Sequence, residues 1–231
     1  KMKKVAFIPT REVTRHQPIT SFLESAGWDV IILSKYSSIF EAFRTAMEAF
    51  KVDAKDYVIF CHDDIEILTN TKDFNYFINK HLENPNTGFL GVAGTKMLKT
   101  SCVWWEDLNK KTEYFNPLSG FVFHGKKEGK MLGNWYGQYG RVAVLDGLFL
   151  CATGATLYSI NLRKPEVFNG NWDFYDIYYT AQTTVKGKSN YTIPIQIVHE
   201  SIGELAGRES WHENRKAFAV AFGDNLPLIV N

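Results

Sequence analysis

None of the three cysteines in this 231-residue chain has a partner at CxxC spacing: Cys61, Cys102 and Cys151 are odd in number, widely separated and set among apolar residues. That excludes a zinc ribbon or a dithiol redox centre. It reads instead as buried free thiols in a reducing compartment, so a cytoplasmic protein is expected. Long apolar runs are missing as well. The first residues, KMKKVAFIPT, reach Pro9 after only four apolar positions, too few for a signal sequence or a membrane span. Nor is there an excess of one charge. The formal net charge is +1 with the basic residues spread along the chain, which leaves no electrostatic footprint for a nucleic-acid backbone. Repeats, low-complexity tracts and linkers are absent too, and one compact α/β unit is expected over residues 1–231.

What the chain has in quantity is apolar and aromatic surface. A hydrophobic share of 45% beside 22% charged residues is that of a folded globular protein. Aromatic residues make up 15%; most are expected to fill the core, leaving some rings to line a groove for a flat or sugar-like ligand. Residues 5–8 (VAFI) read as a buried strand opening at Pro9 into a loop. Thr20 can cap a helix carrying Phe22, Leu23 and Ala26 and stopped by Gly27, and residues 30–33 (VIIL) give a second strand. Ile39, Phe40, Phe43, Met47 and Phe50 fall at helical spacing, and residues 57–61 (YVIFC) make a third strand. Strands separated by helices predict a mainly parallel sheet whose ligand site lies beyond the carboxyl ends of the strands. That rule singles out residues 9–12, 34–38 and 62–66.

A helix near residues 72–82 and a strand at 89–93 follow. Residues 101–140, rich in Trp, Tyr, Gly and Asn, lack helical periodicity and read as antiparallel strands and long loops, where substrate-specific surfaces are usually built. Residues 142–152 return to a strand pattern broken by Asp146 and Gly147. Helices are expected at 173–185 and 209–222, and a strand at 191–198 ending at His199.

The segment YVIFCHDDIEI, residues 57–67, carries the clearest chemistry. A buried strand delivers His62 and the adjacent carboxylates Asp63 and Asp64 at its carboxyl end. Like charges this close repel unless a cation lies between them, and oxygen ligands with an imidazole suit Mn or Mg, which also bridge diphosphate oxygens. Spacing alone leaves a solvated acidic turn equally open.

Residues 57–67 resemble the DxD region of GT-A glycosyltransferases in the HDD form of the glycosyltransferase-like family that includes the StrF-type proteins of streptomycin biosynthesis. Residues 91–94 (GVAG), Trp104 and Trp105, 145–150 (LDGLFL), 173–179 (DFYDIYY) and 199–203 (HESIG) resemble that family's further motifs in order. The resemblance implies a GT-A Rossmann-like fold with a mainly parallel sheet and a smaller antiparallel acceptor-side part. Residues 1–100 would form the nucleotide-binding half and residues 101–231 the acceptor-binding half. It implies sugar transfer from a nucleoside diphosphate, with UDP-sugars favoured, to a glycan, small-molecule or protein-linked acceptor, with inversion.

Carried over position by position, Asp64 falls on the last Asp of DxD and is the first metal ligand, joined by His199. His62 stands where many members have Asp, and with Asp63 it is expected at the nucleotide ribose or phosphate. Glu66 reads as structural or solvent-facing. Asp176, at a helix start that favours an ionised carboxylate, corresponds to the acid that takes the acceptor proton. Asp173, one turn earlier, is its competitor or a helix cap. Asp146 is assigned to donor-sugar or acceptor contact, Thr10 and Arg11 to the base and diphosphate, and Trp104 or Trp105 to a sugar face. Two rivals are a sugar nucleotidyltransferase, which the lack of Gly in PTREVTR disfavours, and an inactive carbohydrate-binding domain, which the presence of Asp64 and Asp176 disfavours.

Overall fold

The computed structural model describes residues 1–11, 16–110, 112, 115–125, 129–200 and 208–231. The chain opens with β1 (Lys4–Pro9), α1 (Gln17–Ser25), β2 (Asp29–Leu33), α2 (Ile39–Ala49) and β3 (Tyr57–Cys61), the alternation expected from the hydrophobic pattern. Then come β4 (Ile65–Ile67), α3 (Thr71–Leu82), β5 (Thr87–Gly91), β6 (Ala93–Thr95), β7 (Met97–Leu98), β8 (Leu118–Gly125) and β9 (Met131–Gly137). The remainder supplies β10 (Arg141–Val142), β11 (Val144–Leu145), β12 (Phe149–Thr153), α4 (Gly154–Tyr158), α5 (Tyr175–Val185), β13 (Ser189–Thr192), β14 (Ile197–His199), α6 (Glu209–Ala221) and β15 (Leu228–Ile229).

The main sheet has the order β10-β13-β5-β12-β3-β1-β2. β1 runs parallel to β2 and β3, and β13 parallel to β5, whereas β12 is antiparallel to both of its neighbours and β10 to β13. Every residue of β3 is buried, as a central strand covered on both faces requires. On one face α2 and α5 meet the sheet: Phe43 stacks on Phe60 with centroids 3.9 Å apart, and Phe40 packs against Tyr179. On the other face Phe74 of α3 lies between Phe22 of α1 and Phe149 of β12. Burying each such ring contributes roughly 1.5–3 kcal/mol, which is how short strands without independent stability hold their places.

A second sheet, β11-β6-β8-β14-β4 with β9 paired to β8, contains the antiparallel β8–β9 pair. β3 belongs to the first sheet and β4 to the second, so the His62–Asp64 turn is the short link between them. No helix among the described residues is long and apolar enough to cross a membrane.

Several local readings differ from the structure, among them the strand expected at 89–93, which is β5 and β6 in two different sheets. α1 starts at Gln17 with Pro18 in its first turn, ahead of Thr20, because proline pre-sets the helical φ where its missing N–H is not needed. Thr20 lies inside the helix, its N–H bonded to the His16 carbonyl at 3.0 Å. The strand expected over 191–198 is two strands in different sheets, since Pro194 has no N–H to continue a ladder. β4 escapes the hydrophobic pattern because Glu66 interrupts so short a run; its pairing with β14, Ile65 opposite His199, defines it.

Candidate active site

The turn after β3 separates its three polar residues. The His62 N–H bonds the Leu148 carbonyl at 3.0 Å, locking the turn to the loop before β12. The Asp64 carbonyl accepts the Glu200 N–H at 2.9 Å, tying the turn to the end of β14. His62 Nδ1 lies 3.7 Å from one carboxylate oxygen of Asp64, and His199 Nε2 lies 3.3 Å from the other. One atom from each of these three residues fits within 4.8 Å of the others, close enough to share one ion. Loss of water around His62, and then the neighbouring His199, push its pKa below the usual histidine value. Asp63 points elsewhere: it accepts the Thr10 hydroxyl at 2.7 Å across the ends of β1 and β3. His62 therefore groups with Asp64 and His199 while Asp63 groups with Thr10.

The cluster opens on a cavity of about 500 Å³ that is also lined by Asp146, Asp176, Tyr136, Trp104, Trp105 and Trp211. Asp146 sits at the break between β11 and β12, its Oδ1 accepting the Leu148 N–H at 3.0 Å. Asp176 is in the first turn of α5 and accepts the N–H groups of Gly147 at 2.9 Å and Ile177 at 2.8 Å. Burial, with the nearby Asp146 charge second, raises the Asp176 pKa to about 7 against the pull of those two N–H groups. Arg11 lies outside the cavity lining, its guanidinium 4.9 Å from the centroid of Trp172, itself a lining residue. Trp104 is buried and packs edge-on against Trp105, whose ring faces Trp211 at 5.3 Å. Residues 201–203 of the HESIG motif, and Glu12 of the first loop, lie outside the described residues.

Asp173 is neither in the first turn of α5 nor its cap. The cap is Phe174, held at φ 68°, a left-handed conformation that costs an aromatic residue about 1–3 kcal/mol. Its buried ring, against Trp211 and Phe218, offsets that cost. The twist turns Asp173 toward α6, where its carboxylate pairs with the Arg208 guanidinium at 3.1 Å and accepts from the Ser210 hydroxyl at 2.5 Å. Asp173→Ala should therefore lower stability by about 0.5–1.5 kcal/mol by removing these bonds to the half-exposed start of α6, or a few degrees in Tm. Calorimetry checks this, and an unchanged Tm would remove the anchoring role.

Sequence reasoning did not pick out Tyr175. Its hydroxyl donates to the Gly147 carbonyl at 3.0 Å and lies 3.1 Å from His62 Nε2. A Cβ at Gly147 would come within 2.5 Å of that hydroxyl and 2.8 Å of the Asp176 Cβ, so only glycine lets the turn approach both. The Asp-Gly pair was visible as a turn; the tyrosine it accommodates was one of several in DFYDIYY.

Residues able to hold a metal, at the strand ends of a mixed sheet, thus share one cavity with the acid Asp176. The sequence profile described as "Glycosyltransferase like family" matches residues 22–219, and the chain belongs to that family. Among solved structures, A197 from STIV aligns at TM-score 0.53 and 16% identity, covering 86% of this chain and 85% of that one. GalNAc-T7 with UDP, GalNAc and Mn2+ aligns at TM-score 0.56 and 7% identity over 95% of this chain, which spans 48% of the GalNAc-T7 chain. At these identities the two likenesses establish the GT-A fold. Among curated proteins none matches.

Proposed function

We propose that this glycosyltransferase moves a sugar from a nucleoside diphosphate, a UDP-sugar in the first instance, to an acceptor hydroxyl with inversion. One observation carries the reading: a His62, Asp64 and His199 cluster able to hold a divalent cation shares a cavity with Asp176, whose pKa is raised to about 7. Two imidazole nitrogens beside one carboxylate fit Mn2+ better than Mg2+, which prefers oxygen ligands. When bound, the ion supplies positive charge for the departing diphosphate.

Asp176 takes the acceptor proton. Its two oxygens accept one backbone N–H each and keep lone pairs for that proton, and a pKa near neutrality is matched to general-base work. Attack from the face opposite the leaving diphosphate gives inversion. Thr10, Arg11 and Asp63 contact the nucleotide, Asp146 the transferred sugar or the acceptor, and Trp105 and Trp211 an acceptor ring face. Residues 1–100 then serve the nucleotide and residues 101–231 the acceptor. GalNAc-T7 with UDP and Mn2+ supports testing UDP-sugars first. The buried, unpaired thiols of Cys61, Cys102 and Cys151 suit the cytoplasm as the place of reaction.

A panel of nucleotide sugars incubated with Mn2+, Mg2+ or chelator tests the reading without knowledge of the acceptor, since water can replace it. One donor should be hydrolysed slowly with Mn2+, less with Mg2+ and not with chelator. Hydrolysis indifferent to metal, or none across the panel, counts against it.

A further inference from the structure

We infer that Tyr175 is a positioning residue that holds His62 as the Nε2–H tautomer, so that the lone pair on Nδ1 faces Asp64 and the metal position. The inference rests on the metal reading above only for its consequence. The tautomer itself follows from hydrogen-bond bookkeeping.

The Tyr175 hydroxyl has one proton and two neighbours within bonding distance, the Gly147 carbonyl at 3.0 Å and His62 Nε2 at 3.1 Å. A carbonyl oxygen can only accept, so the hydroxyl proton belongs to Gly147. Giving it to His62 instead would leave a buried carbonyl without its donor, at the usual cost of an unsatisfied buried polar group. With its proton committed, the tyrosine oxygen can only accept from the imidazole, which must then carry its proton on Nε2. The opposite nitrogen, Nδ1, is the one that lies 3.7 Å from Asp64 Oδ1. A ring whose far N–H is held by a fixed acceptor presents its other nitrogen in one orientation, and losing that partner typically weakens metal binding by about 10–100-fold.

The contact reaches further. Gly147 binds Tyr175 through its carbonyl and Asp176 through its N–H. A single glycine thus places the partner of the metal-side histidine and the proposed base together. The Tyr175 ring is buried against Phe40, Phe43 and Tyr179, which holds its hydroxyl end at the Gly147 carbonyl and His62.

The test is the long-range 1H–15N spectrum of metal-free protein labelled with 15N-histidine at pH 8, with His62 assigned from His62→Gln, together with Mn2+ titration of parent and Tyr175→Phe. The expected result is an Nε2–H His62 in the parent. In Tyr175→Phe that ring should be a mixture of tautomers, with Mn2+ affinity about 10–100-fold weaker. An Nδ1–H His62 in the parent, or an Nε2–H His62 that persists in Tyr175→Phe with unchanged Mn2+ affinity, overturns the inference. If the phenylalanine variant does not fold, the parent spectrum decides alone. Failure of the parent to bind Mn2+ strikes the metal reading and leaves the tautomer to be judged by the spectrum.

Discussion

Asp176→Asn should lower metal-dependent donor turnover by about 10²–10⁴-fold, the usual contribution of a positioned general base, while donor binding stays near that of the parent. The amide keeps the volume of the carboxyl and one acceptor oxygen for the N–H of Gly147 or Ile177, but it cannot take a proton. The pH profile supplies a second signature. With its pKa at about 7, Asp176 in the parent should gain activity as pH rises through neutrality and level off above it. The asparagine variant should show no such rise. Stability moves the other way. A carboxyl raised from 3.8 to about 7 binds more protons folded than unfolded between those values, so its contribution is full below about 4 and is lost as pH approaches 7. An amide at this position does not titrate and carries no such loss. The variant should gain thermal stability relative to the parent on going from pH 5 to pH 8, and a parallel pH dependence of Tm would show that Asp176 does not carry the raised pKa.

Asp64→Ala should abolish Mn2+-dependent binding of a nucleoside diphosphate, a loss of at least about 100-fold given that it removes the one anionic ligand of the cluster. Both imidazoles converge on this carboxylate, at 3.7 Å and 3.3 Å, and without it the cluster offers a dication no anionic ligand. The backbone ties of the turn, to Leu148 and Glu200, use main-chain atoms and survive the substitution. Circular dichroism should therefore be unchanged while Mn2+ and nucleotide titrations go flat. Undiminished metal-dependent binding would move the metal position away from His62 and His199.

The parts of the site legible in the sequence were those delivered by strand ends. A run of buried residues such as YVIFC must stop where polar residues begin, and in an α/β sheet that stop lies on the ligand side. His62, Asp63 and Asp64 were located this way, and His199 by the end of β14. Their division of labour was not legible, because adjacent residues in a turn point in directions set by their hydrogen bonds. Asp63 turns to Thr10, and only the β4–β14 pairing swings His199 beside Asp64. The two acids Asp173 and Asp176 both line the cavity, and what distinguishes them is their partners: Asp173 is bound to Arg208 and Ser210 at the start of α6, whereas Asp176 accepts from the Gly147 and Ile177 N–H groups.

The sequence by itself determined the alternating order of strands and helices, because hydrophobic period is a local property that each segment carries alone. It also determined which residue types stand at the strand ends, and through its ordered motifs the family. Tertiary structure decided the rest: the reversed β12 between β3 and β5, the splitting of residues 189–199 between two sheets, and the meeting of His62 with Tyr175, 113 positions apart. Such contacts join segments whose separation along the chain says nothing of their distance in space. The raised pKa of Asp176 belongs to the same class, since burial and a second carboxylate become facts only when the chain has closed around them.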